Sequence, residues 1–159
     1  MNIWKCDNWK QFDQSFLLKS GLSLHFDHGV DPDLRRSCII FCRWLRKEYC
    51  FPIHVNIYVK KDEHILTMNG ELAISTCWRP THKEYHSYIR VATGDYLSLV
   101  QELGRDRAIA ANLYEIARML THYYQWLNDA ELSERQEVAQ ATQCARIVLR
   151  KYAQTRDHP

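Results

Sequence analysis

The chain is 159 residues long, 46% hydrophobic and 25% charged, with a formal net charge of +2. This is the size of one globular domain, which buries a substantial core without disulfides or a metal as staples. The near balance of charge, with no block of basic residues, argues against a nucleic-acid stripe and leaves nucleic acid as a partner only through another complex.

The opening residues Met1-Asn2-Ile3-Trp4-Lys5-Cys6-Asp7 hold no apolar secretion-signal core. No apolar run reaches the roughly 18 to 20 residues that span a bilayer. The expected location is the cytoplasm, without membrane contact. There Cys6, Cys38, Cys42, Cys50, Cys77 and Cys144 are expected to be reduced thiols, inert where buried.

In chain order, residues 8 to 18 carry Trp9, Phe12, Phe16 and Leu17 at helical spacing and predict a short helix. Ser20 to Val30 reads as a loop. Asp31-Pro32 is an N-cap and N1 pair for a helix whose apolar face is Leu34, Cys38, Ile39, Phe41, Cys42 and Leu45, running to Tyr49. Phe51-Pro52 breaks that helix, because proline has no amide hydrogen and disfavours helix at the preceding residue. A strand then spans His54 to Lys60, with Val55, Ile57 and Val59 on one face. Two more β-like runs follow at Glu71 to Trp78 and His86 to Val91, with an Asn69-Gly70 turn before them. Arg79 to Tyr85 is an exposed connector. Gly94 ends the strand region, Asp95 caps a helix that runs to Leu103, and Gly104 stops it. Two long amphipathic helices close the chain, at Arg105 to Asn128 and about Leu132 to Thr155. The expected architecture is a single α+β domain: an N-terminal helical part over residues 1–50, a small, mostly antiparallel sheet of about three strands over 51–93, and a helical part over 94–159.

No glycine-rich phosphate loop is present, and no local motif marks a Cys nucleophile with a His partner. Cys38 and Cys42 have the i, i+4 spacing of two ligands on one helical face, yet they fall on the apolar stripe, where a free Cys packs as a small hydrophobe. His25, His28, His54, His64, His82 and His86 are scattered over loops and strands. Aromatic residues are more suggestive. Tyr123, Tyr124 and Trp126 are too close in sequence to share one core face, so the candidate interface is Tyr124, Trp126, Tyr85, Tyr88 and Trp78.

Leu120-Thr121-His122-Tyr123-Tyr124-Gln125-Trp126 resembles the "HELTHYYQW" helix of small zincin-like proteins (SprT-like, minimal gluzincins) of bacteria and their phages. Phe51-Pro52, Tyr88 to Tyr96 and Gly104-Arg105-Asp106 are similar to the same family, so the resemblance covers roughly residues 44 to 159. An H-E-x-x-H helix places two imidazoles on one zinc and a Glu beside the attacking water. On that register Arg118 stands in place of the first His and Met119 in place of the Glu, and His122 is kept. The family takes its third ligand from an E-x-Q-A-T pattern, which puts Val138 at that position.

The resemblance therefore implies a zincin-like fold whose site is degenerate. A guanidinium stays protonated and repels a divalent cation, and a thioether cannot act as a general base. No catalytic residue, metal or cofactor is expected. Instead Arg118, paired with Glu115 three residues earlier, is expected to fill the space of the metal. The implied function is a pseudoenzyme that binds a protein partner. The phage-borne character of the related proteins points to a host-defence complex such as a CRISPR nuclease. Two alternatives stand beside it. One is a metal-dependent hydrolase using His122, Glu115 and a Cys or His from the sheet; the other is a structural domain that self-associates into a homo-oligomer.

Overall fold

A computed structural model of the protein describes residues 3–4 and 21–155. Cys6 and the helix expected over residues 8 to 18 lie outside the described residues. The elements are β1 (Leu22–Phe26), α1 (Pro32–Glu48), β2 (Val55–Lys60), β3 (Ile65–Leu66), β4 (Leu72–Ala73), β5 (Ser75–Trp78), β6 (Ser87–Ala92), α2 (Tyr96–Leu103), α3 (Arg105–Leu127) and α4 (Glu134–Thr155).

Helix α1 begins where the Asp31 carboxylate accepts the amide of Asp33 at 2.9 Å and Pro32 supplies a preset φ. Its buried face is Leu34, Ser37, Cys38, Phe41, Cys42 and Leu45, and it ends at an extended Tyr49 ahead of Phe51-Pro52. Ile39 turns outward instead, 39% exposed. Burial pushes the Cys42 thiol up to about 12 and raises Cys38 as well, so both are packed, protonated thiols.

The sheet corrects the sequence-based expectation. Among the described residues it has four strands in the order β1-β2-β6-β5, of which only β5 runs antiparallel; β1–β2 and β2–β6 are parallel pairs. Strand β1 falls where a loop was expected. It is held in place by Gly21, whose amide donates to Phe51 O at 2.9 Å and whose carbonyl accepts from Val55 N at 3.0 Å. Gly21 has a φ of 130°, which L side chains rarely adopt. With α1 between them, β1 and β2 form a parallel crossover unit, whereas a hairpin would have made them antiparallel. The expected single strand over Glu71 to Trp78 is divided at Ile74: β4 pairs with β3 around the Asn69-Gly70 turn, and β5 pairs with β6 in the main sheet.

Alternation along the strands separates two faces. Val55, Ile57, Val59, Ile89 and Val91 point into the core with residues of α1, α3 and α4. The intervening residues, among them Tyr58 and Tyr88, stay outside that core. Gly94 follows β6 so closely under the β2–β3 loop that a Cβ there would lie 2.5 Å from the Glu63 amide nitrogen. Helix α3 packs against β5 and β6 on one side and α1, α2 and α4 on others, and is therefore buried around most of its circumference. Among the described residues, no helix is long and apolar enough to cross a membrane.

Candidate functional site

Arg118 leaves α3 toward β5. Its Nη2 donates to Glu115 Oε2 at 2.8 Å and to Ser75 Oγ at 3.1 Å, and its Nε donates to the same Glu115 oxygen at 3.3 Å. Ser75 Oγ in turn donates to Glu115 Oε2 at 2.6 Å. The three side chains close a triangle in which the hydroxyl accepts from the cation and donates to the anion. Arg118 and Glu115 are only 24% and 18% exposed, so the pair is screened little by solvent. The expected pairing of Arg118 with Glu115 is present, and Ser75 is the partner that the sequence did not reveal.

Met119 points elsewhere, into the hydrophobic core at 4% exposure. His122 Nδ1 lies 2.7 Å from Gln125 Oε1, while Gln125 Nε2 donates to Glu137 O and Gln140 Oε1, both at 3.0 Å. With its amide group committed to two acceptors, Gln125 presents its oxygen to the ring. His122 Nδ1 is then the protonated nitrogen and Nε2 keeps the lone pair. Burial is the largest influence on this imidazole and holds it below the ordinary value of 6.5. The Gln125 hydrogen bond opposes that shift, and the Arg79 and Arg118 cations reinforce it.

Val138 is 49% exposed. Glu137, one position earlier on α4, accepts Gln125 at its carbonyl, and its carboxylate is held by Arg79 at 3.3 Å. Zinc chemistry fits these groups poorly. Arg118 is a fixed cation, Glu115 is committed to Arg118 and Ser75, and Cys77 Sγ faces Ser87 Oγ at 3.9 Å. Among the described residues, no three His, Cys, Asp or Glu side chains converge as a metal-binding group.

The expected interface residues part company. Tyr124 is fully buried, its hydroxyl donating to Cys50 O at 2.5 Å and its ring stacked on Trp4. Adjacent tyrosines can both be buried because α3 is covered on several sides, so Tyr124 is no surface anchor. Trp126 is a clasp: its indole donates to Pro80 O at 2.7 Å, and the Lys83 ammonium sits 4.5 Å over its ring while bonding the Trp126 carbonyl and Asp129. Trp78 and Tyr85 are exposed, 38% and 58%, and line a cleft of about 400 Å³ with Pro80, Thr81 and His82. Tyr88 is stacked on Trp78 at 5.1 Å. Sequence reasoning missed Tyr58 and His25, which stack at 4.8 Å on the same sheet face. Tyr58 was readable as outward-facing, since Val55, Ile57 and Val59 face inward; its neighbour across the sheet was not.

Another cleft, of about 420 Å³, opens at the carboxyl ends of the parallel strands, between Asp31, Lys61 and Tyr96. The α1 N-terminus there is already capped by Asp31 and carries Asp33 in its first turn, which disfavours an anionic ligand.

No protein-family model matches the chain, and neither a curated protein nor a solved structure matches it.

Proposed function

We propose that the chain is a non-catalytic, zincin-like domain that works by binding a protein partner. The observation that supports this reading is the Arg118–Glu115–Ser75 triangle, a mutually satisfied polar group around the residue that the resemblance puts in place of the first zinc ligand. A hydrolase needs a general base within reach of its water, and Met119 neither faces the site nor can take a proton. Protein binding is supported by exposed Trp78 and Tyr85 beside β5, which is an edge strand of the sheet among the described residues. Tyr and Trp with open edge backbone are what an extended segment of a partner engages.

Elemental analysis of protein purified without chelator tests the non-catalytic half. We expect less than stoichiometric zinc, and stoichiometric zinc that disappears in His122→Ala would overturn the reading. The scaffold half is tested by combining Arg118→His with Arg79→Ala, which frees the Glu137 carboxylate and leaves the core residue Met119 in place. Zinc binding gained in calorimetry is the expected result; no gain would show that the inherited geometry is absent.

A further inference from the structure

On the sheet face turned away from the helices, the rings of His25, Tyr58, Tyr88 and Trp78 lie in a row and meet one another at 4.8, 6.4 and 5.1 Å. The hairpin of β3 and β4 is different. Its Ile65 turns inward at 4% exposure, and strand alternation sends the next residue out, so Leu66 and its direct cross-strand partner Leu72 stand in solvent, 62% and 68% exposed. Met68 at the turn is 91% exposed, and Ile74, two residues past Leu72, is 50% exposed. These four side chains leave roughly 500 Å² of apolar surface bare in one hairpin, at the upper end of what a monomer shows.

The sequence does not protect this surface. Between His64 and Ile74 the one full charge is Glu71, and neither lysine nor proline guards the strands, as they commonly do where a β-edge must stay unpaired. Charge separates the occupants. The turn end of the hairpin carries Glu71, which disfavours the negative surface of a bilayer and the phosphates of a nucleic acid. The other end touches Arg90 of β6, whose Nη2 reaches Leu66 O at 3.4 Å and whose buried Nε has no hydrogen-bond partner among the described residues. Among the described residues, neither Glu71 nor Arg90 takes part in an ion pair. One hairpin thus holds an anion at its tip and a cation at its root, with apolar side chains between. A second copy, laid on it in reverse, matches all three at once. The bare apolar area, with Thr67, Glu71 and Arg90 around it, approaches the roughly 800 Å² per partner of a stable interface.

We propose that the β3–β4 hairpin is the contact of a two-fold homodimer. Leu66, Met68, Leu72 and Ile74 of both copies form its centre, and Glu71 of each copy pairs with Arg90 of the other, so every contact is made twice. The proposal does not rest on the protein-partner reading. Trp78 lies six residues past Leu72, up to about 20 Å along an extended strand, so the dimer leaves that end of the sheet free and presents it twice.

The test is sedimentation equilibrium of the full chain from about 1 to 100 µM, over which the mass is expected to double. Met68→Glu and Leu72→Lys change exposed side chains and should leave thermal unfolding of the monomer intact, yet each should weaken the dimer at least about tenfold. Glu71→Arg protein and Arg90→Glu protein should each associate poorly alone and form a mixed dimer when combined, because only the mixture restores both ion pairs. Should Arg90→Glu fail to fold, Met68→Glu and Leu72→Lys decide the matter. A single-chain mass at every concentration, or a dimer unchanged in both of those variants, would overturn the proposal and leave the reading of Trp78 and Tyr85 untouched. So would a monomer that pellets with phosphatidylcholine vesicles and loses this in Met68→Glu, which would assign the hairpin to a lipid surface.

Discussion

On the helix side of the sheet, the polar groups around Arg118 satisfy one another: Arg118, Glu115 and Ser75 close a triangle, and His122 Nδ1 donates a hydrogen bond to a glutamine whose amide is itself engaged. On the far side, 4.8 Å to 6.4 Å separates each ring from the next, and Tyr58 and Trp78 remain more than one third exposed. The same strand alternation feeds both faces. The difference teaches that polar atoms near a suspected site are poor evidence of activity when each has a partner, whereas rings left at the surface still have area to bury.

The sharpest way to break this comparison uses adjacent residues of β6. Ile89→Ala removes a fully buried side chain from the helix side and should cost about 3 kcal/mol in urea unfolding, while Tyr88→Ala on the far side should cost about 1 kcal/mol. Equal losses would mean that the far face is as closely packed as the core. A smaller effect is expected at the triangle. Glu115→Ala strands the Arg118 guanidinium and should cost about 2 kcal/mol, whereas Glu115→Leu combined with Arg118→Met should recover most of that loss. A double variant as unstable as the single one would show that the triangle holds the fold and not merely itself.

The smallest effect concerns His122. Its folded pKa is depressed, so the unfolded chain takes up a proton before the folded one does. Stability from this group is complete above 6.5 and falls on acidification until the folded value is passed. The loss at about pH 6 is below about 1 kcal/mol, and it should vanish in His122→Gln. Acid sensitivity unchanged in that variant would place its origin elsewhere.

Helices were the legible part of this chain, because each has its own punctuation: Asp31-Pro32 opens α1 and Gly104 separates α2 from α3. Strand β2 was legible from Val55, Ile57 and Val59. Strand β1 was not, because Leu22–Phe26 acquires its meaning only from Phe51 and Val55, some thirty residues on, and parallel pairing leaves no turn signal to read. At the site, the Glu115–Arg118 pair could be read from helical spacing, but Ser75 comes from a strand forty residues away. Burial of Tyr124 was misjudged for a related reason: periodicity describes one face of a helix, and α3 is covered on several. The ring row needed the register of four strands, and no local pattern encodes that.

Tyr123 and Tyr124 have one more consequence. Their hydroxyls bond the backbone of Ile53 and Cys50, 70 and 74 residues earlier, at the entrance to β2. During synthesis β1, α1 and β2 emerge long before those phenols exist, so the approach to the sheet waits, with two carbonyls unmet, until α3 has left the ribosome. A chain halted after β6 would have the six described strands and no latch, and proteases should find residues 50–53 open in such a fragment and closed in the finished protein.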